Sequence, residues 1–172
     1  MINDLVLFEN KNPLFKDIAY KKIDFLNKDK SWLVVREGNM VNRDLLENKS
    51  IDILVSPEKN IKKDSLHYRK SGLDQVACAL AKKNDIAIAF SFNEVLNAKN
   101  RALIIGKMMQ NVRLCRKFKV KMVISTFATN EYETRSYDAL MAFGICLSMN
   151  PGEAKKALEE AGNVLKRKEK RI

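Results

Sequence analysis

A single histidine, His67, is available to the whole chain. A multi-histidine metal site is therefore excluded, and a Ser-His-Asp arrangement has only one residue to build on. The six glycines are scattered and form neither a GxxxxGK[ST] nor a GxGxxG loop, so no phosphate cradle of the nucleotide-binding type is encoded. Other residues capable of chemistry fall at the ends of apolar runs: Arg36, Glu37, Ser56, Glu58, Ser91, Glu94, Ser125 and Thr126. A parallel β/α enzyme draws its catalytic groups from these places. Glu37, Glu58 and Glu94 are the set that would gather a magnesium ion if they converged, although caps and loop charges are the commoner use of such carboxylates. Cys78, Cys115 and Cys146 are far apart, odd in number and set among apolar neighbours, which reads as three reduced core thiols. No catalytic residue and no bound metal or cofactor is assigned from these residues.

Charge is the stronger signal. The chain carries a formal +11 over 172 residues, and the excess is localised. Residues 95–130 hold eight Lys and Arg and no carboxylate, "PEKNIKKDSLHYRKS" (57–71) holds five basic and two acidic residues, and "KRKEKRI" (166–172) five and one. These pieces carry +8, +3 and +4, so the remainder of the chain is net negative. Localised positive charge points to a polyanionic partner, with nucleic acid the leading class.

The elements that must position these groups alternate. Short β-rich runs occur at 5–8, 32–36, 52–55, 86–92 and 121–126, apolar at consecutive positions as in strands covered on both faces. Helical patterns lie between and after them. Residues 14–26 place Leu14, Phe15, Ile18, Ala19, Ile23 and Leu26 on one half of a wheel, and 71–83 begin at a capping Ser71. Residues 137–147 are apolar nearly all round, which predicts a well-buried helix. Asn150, Pro151 and Glu153 give a cap, a first-turn proline and a capping-box partner for a last helix. Alternating strands and helices with buried strands predict one α/β domain over 1–172 with a parallel sheet, open or closed into a barrel, and a basic tail at 166–172. An eight-fold barrel usually needs about 250 residues, so a barrel here is compact or incomplete.

In the helix leading to residue 118, Ile104, Ile105, Met108, Val112 and Cys115 share one arc, and Lys107, Gln110, Arg113 and Lys117 share another. A solvated helix face normally mixes Glu with Lys for i,i+4 support, and this one does not. Phosphates would supply the missing counter-charge. The 57–71 loop follows a strand, and His67 and Tyr68 lie between Lys63 and Arg69, a stacking group beside cations of the kind looped RNA favours.

The segments "NRDLLENKSIDILVSPE", "SGLDQVACALAKKNDIAIAFSFNEVL", "NVRLCRKFKVKMVIST" and "YDALMAFGICLSMNPGEAKKAL", with Arg101 between the second and third, resemble the ribonuclease P protein component 3 family from about Trp32 to Lys166. That family is the archaeal counterpart of a subunit shared by eukaryotic nuclear ribonuclease P and MRP. The resemblance implies a TIM-barrel-like fold related to the polymerase and histidinol phosphatase phosphoesterases. It also implies a non-catalytic subunit of the ribonucleoprotein endonuclease that removes the 5′ leader of precursor tRNA. The implied partners are the catalytic RNA, the component 2 protein and other subunits, with precursor tRNA as substrate of the complex and magnesium required by the RNA rather than the protein. Two departures stand out: the region before Trp32 is shorter than the family's usual β/α units, and the 57–71 loop is longer.

On the matched positions the RNA-facing expectation falls on Asn42, Arg43, Arg101, Arg113, Arg116 and Lys117, with a structural role competing at Arg101 and Arg116. Lys107 and Lys119 join them from the basic helix, and Lys63, Arg69 and Lys70 from the long loop. The rival reading is a barrel enzyme acting on a small phosphorylated or anionic substrate. A pure protein-interaction module, using helix 137–147, is a third. No apolar run reaches the roughly 18 residues of a membrane span, and "MINDLVLFEN" lacks a secretory pattern, so no membrane role and a cytoplasmic location are expected.

Overall fold

In a computed structural model, the structure describes residues 2–9, 14–15, 17–23, 33–39, 41–61 and 70–170. Strands β1 (Ile2–Val6) and β2 (Ile18–Lys22) form a parallel pair, and β3 (Val35–Glu37), β4 (Ile53–Val55), β5 (Ala87–Ser91) and β6 (Met122–Ser125) form a four-stranded parallel sheet in that order. The two sheets are joined where the chain leaves β6. Phe127 N–H donates to the Leu5 carbonyl at 2.9 Å, and Leu7 N–H donates to that of Ala128 at 2.8 Å. Helices α1 (Asn42–Glu47), α2 (Gln75–Lys83), α3 (Phe92–Leu96), α4 (Arg101–Phe118), α5 (Tyr137–Cys146) and α6 (Pro151–Glu169) complete a TIM-barrel-like α/β fold, incomplete among the described residues.

Strand side chains alternate with period two between two apolar layers. Leu54, Ile88, Phe90 and Ile124 face outward onto Ala77 and Cys78 of α2, Met108 and Val112 of α4 and Leu140 of α5. Ile53, Val55, Ala87, Ala89 and Val123 face inward with Leu5 and Val35. Both faces are covered, which is why these strands read as continuous apolar runs.

The inner face is covered by α6. Its first half, with Ala154, Ala157 and Leu158, belongs to the outer layer, and its second half, with Ala161, Val164 and Leu165, to the inner one. The helix therefore passes beneath the amino ends of the strands like a floor. Gly162 stands against the Asn3 side chain, and Lys168 Nζ reaches Asp52, just before β4, at 3.0 Å. Burying Val164 and Leu165 contributes about 1.5–3 kcal/mol for each side chain. The start of α6 is as the sequence predicts: Asn150 accepts from Glu153 N–H at 2.8 Å, and Glu153 accepts from Asn150 N–H at 2.9 Å.

Several expectations are corrected. The helix predicted over 14–26 is replaced at Ile18–Lys22 by β2, paired residue for residue with β1 from Ile2↔Ile18 to Val6↔Lys22, and residues 24–26 lie outside the described part. The apolar spacing there satisfies a helical wheel, but the backbone pairing with β1 decides. The first strand begins at Ile2 rather than 5 because buried Asp4 is satisfied within the sheet; it accepts from Ser125 Oγ at 2.5 Å, Thr126 N–H at 2.7 Å and Thr126 Oγ1 at 2.6 Å. The cap of α2 is Asp74, which accepts from Ala77 N–H, and not Ser71. Helix α5 is buried on one side only, through Leu140, Phe143 and Gly144, while Ile145 and Cys146 are exposed. Cys146 is accordingly no core thiol, whereas Cys78 and Cys115 are. Residues 166–169 are the last turn of α6, not a tail.

Candidate nucleic-acid interface

The carboxyl ends of the strands open into a cleft of about 170 Å³ lined by Leu7, Glu37, Ser56, Lys59, Glu94 and Phe127 among others. A barrel enzyme would work here. Lys59, in the turn after β4, places its ammonium between two of the three carboxylates, 2.5 Å from Glu37 Oε1 and 3.4 Å from Glu94 Oε2. The single positive charge offsets half of the pair's negative charge and fills the position their convergence would offer an ion. Glu58 points the other way. It is fully buried, accepts from Asn111 Nδ2 at 3.0 Å, and burial pushes its carboxyl up to about 8. Among the described residues no three His, Cys, Asp or Glu side chains are grouped to hold a metal.

Ser91, Ser125 and Thr126 have structural partners. Ser125 and Thr126 hold Asp4, as above. Ser91 caps α3 by accepting from Glu94 N–H at 3.1 Å. Ser56 is buried in a left-handed conformation with φ 47°. The sequence offers for Asp4 only the signal of a lone carboxylate beside an apolar run, since its partners Ser125 and Thr126 meet it through the fold.

On α4 the wheel is rotated from the predicted one. Lys107, Met108, Asn111, Val112 and Cys115 are its buried residues. Lys107 is 1% exposed and donates to the Ile61 carbonyl, so it is enclosed rather than presented to solvent. Asn111, one turn on, donates to the Ser71 carbonyl at 2.9 Å as well as to Glu58. The β4–α2 connection packs on α4 through these polar groups. A wheel that assigns every lysine to solvent misses that second packing face.

The other candidates divide by whether the fold already compensates them. Asn42 is buried, donating to the carbonyls of Pro57 at 2.8 Å and Gly72 at 2.9 Å, and so does not face a partner. Gly72, with φ +85°, leaves room for no side chain there, since a Cβ would stand 1.9 Å from the Pro57 oxygen. Arg43 is exposed and paired with Asp74 at 2.5 Å. Arg101 is exposed and donates to the Leu96 carbonyl at 3.0 Å. Arg116 grips Glu153 of α6 through Nε and Nη2 and also donates to the Ser148 carbonyl at 2.7 Å, which makes its role structural. Arg113 is exposed with no ion pair to any described residue, and exposed Lys117 leans over the Phe118 ring at 5.6 Å. Lys119 is exposed at the left-handed C-cap of α4. Lys70 is exposed, and Lys63 and Arg69, with His67 and Tyr68, lie outside the described residues.

Fold and surface together define a TIM-barrel-like α/β protein in which a lysine stands between two carboxylates at the strands' carboxyl ends and exposed Arg113, Lys117 and Lys119 line the end of α4. Residues 32–172 match the RNase P subunit p30 family, and the chain belongs to that family. It is 34% identical over 138 residues to the ribonuclease P protein component 3 of Methanocaldococcus jannaschii, covering 78% of this chain and 56% of that protein. Identity to the component 3 protein of Thermococcus kodakarensis is 31% over 157 residues, covering 90% and 65%. A chain in the cryo-EM structure of archaeal ribonuclease P with mature tRNA superposes with a TM-score of 0.69 at 33% identity, covering 81% of this chain and 59% of that one. The chain thus spans less than two thirds of the length of these relatives. No helix among the described residues is long and apolar enough to cross a membrane.

Proposed function

We propose that the chain is a non-catalytic protein subunit of ribonuclease P, which supports the catalytic RNA in removing the 5′ leader of precursor tRNA. Family membership carries this reading, together with the likeness to a chain of the archaeal complex. The structure supports the non-catalytic part through one observation: the Lys59 ammonium occupies the place between Glu37 and Glu94 that a metal ion held by those carboxylates would need. That arrangement weighs against the rival reading of a barrel enzyme acting on a small phosphorylated substrate. The mechanism is electrostatic. Exposed Lys and Arg neutralise phosphates of the large RNA, release counterions and lower the magnesium needed for folding and cleavage. The protein itself binds no cofactor in this reading, and its partners are the RNA, the component 2 protein and the other subunits, in the cytoplasm.

The test is precursor-tRNA cleavage at limiting magnesium by the catalytic RNA and the component 2 protein, with and without this chain. Stimulation that requires the RNA is the expected result. Cleavage by the chain in an RNA-free control would overturn the non-catalytic assignment. No stimulation at any magnesium concentration would overturn the subunit assignment.

A further inference from the structure

Asp85, in the turn between α2 and β5, accepts from Lys121 Nζ and from Arg167 Nη1, each at 2.5 Å. One carboxylate therefore gathers the ends of three helices to one place. Lys82 and Lys83 close α2 just before Asp85, Lys119 follows α4 two residues before Lys121, and Lys166 precedes Arg167 in the last turn of α6. The parallel sheet dictates this for α2 and α4, which feed β5 and β6 and so end at those strands' amino ends, and Arg167 brings the end of α6 to the same place. The floor helix α6 carries further exposed lysines, Lys155, Lys156 and Lys170, and Lys156 lines a recess with Lys121.

Basic residues in a last helical turn have an ordinary explanation in the helix dipole. Two features go beyond it. Lys119 occupies φ 54°, a left-handed position where glycine or asparagine is favoured, so local stability argues against a lysine there. Lys155 follows the N-terminal turn of α6, where the dipole gives a cation nothing. None of Lys82, Lys83, Lys119, Lys155, Lys166 and Lys170 has an ion pair with a described residue, whereas Lys121, Arg167 and Lys168 beside them are tied to Asp85 and Asp52. The exposed carboxylates on the floor helix are Glu159 and Glu169. The paired cations fix the pole and the unpaired ones project from it.

We infer that the amino-terminal pole, formed by α6 and the ends of α2 and α4, is the surface that docks on RNA, by contact with its phosphodiester backbone. The inference rests on the subunit reading and deepens it. The pole lies opposite the cleft at the strands' carboxyl ends, and α6, about 28 Å long, can span several successive phosphates. Recognition there is of backbone charge and shape, with little base readout.

The experiment measures binding of the full-length chain to an archaeal ribonuclease P RNA transcript over a range of salt concentrations. Two variants are compared: Lys82→Gln, Lys83→Gln, Lys119→Gly and Lys166→Gln combined, and Arg113→Gln with Lys117→Gln on the side of α4. Circular dichroism confirms folding. The pole variant is expected to reduce the slope of log K against log salt by about 3, and affinity at low salt more than 10-fold, while the side variant changes the slope by less than half as much. Loss confined to the side variant overturns the inference and leaves the subunit reading intact. An unchanged slope in the pole variant, with loss of association to the component 2 protein, also overturns it and makes the pole a protein interface. Absence of salt-dependent RNA binding by the unaltered chain would instead count against the subunit reading itself.

Discussion

The guanidinium of Arg116 lies in a two-point contact with the carboxylate of Glu153, Nε 2.6 Å from Oε1 and Nη2 2.7 Å from Oε2. It joins the end of α4 to the start of α6, and so sets the floor helix under the sheet. The same carboxylate closes the capping box of α6.

Arg116→Ala should therefore cost stability, by about 1 kcal/mol for a well-aligned but half-exposed pair, and leave the salt slope of RNA binding unchanged. The Arg116 guanidinium also holds the Glu153 carboxyl below its usual range. A depressed carboxylate contributes its stability above the unfolded value and loses it as pH falls through the folded one. The gap between wild type and Arg116→Ala in urea melts should accordingly narrow as pH drops below about 4.5, the ordinary glutamate value.

Lys119→Gly should stabilise the free protein, by about 1 kcal/mol, because glycine takes the left-handed C-cap without a Cβ penalty. RNA affinity should move in the opposite direction. Thermal unfolding and filter binding on the same preparation would separate the two effects. Equal loss of both would show that Lys119 has a packing role.

Lys107→Met removes the donor to the Ile61 carbonyl while keeping the aliphatic stem. A buried acceptor left unmatched costs about 1–3 kcal/mol. The expected readout is a lower denaturation midpoint with an unaltered RNA salt slope, in contrast to the lysines of the pole.

Glu58 holds its proton in the fold up to about pH 8, because burial disfavours the carboxylate. A raised carboxyl contributes stability fully below its unfolded value of 4.5 and loses it progressively as pH rises toward 8. Glu58→Gln keeps an acceptor for Asn111 without the titration. The variant should be the more stable at pH 7.5, with a higher Tm, and its advantage should shrink as pH falls and vanish below about pH 4.5. A pH-independent difference would mean that Glu58 is ionised in the fold.

Much of this protein is determined locally. The strands β4, β5 and β6 are legible because apolar residues on consecutive positions satisfy a sheet covered on both faces, whatever covers it. The start of α6 is legible because Asn150, Pro151 and Glu153 act within one turn. The absence of a histidine cluster and the concentration of cations are plain composition. What the sequence could not decide depends on partners far along the chain. Ile18–Lys22 became a strand through pairing with β1, and Asp4 entered a strand because Ser125 and Thr126 meet it across more than a hundred residues. Lys59 paired with two of the three candidate ligands, Glu37 and Glu94, while burial set Glu58 apart as an acid. Lys107 and Arg116 left the basic face for Ile61 and Glu153, while Lys121 and Arg167, separate in sequence, were gathered on Asp85. A side chain's type is written in the sequence, but whether its charge is free is a sum over neighbours that only the tertiary fold brings within a few ångströms.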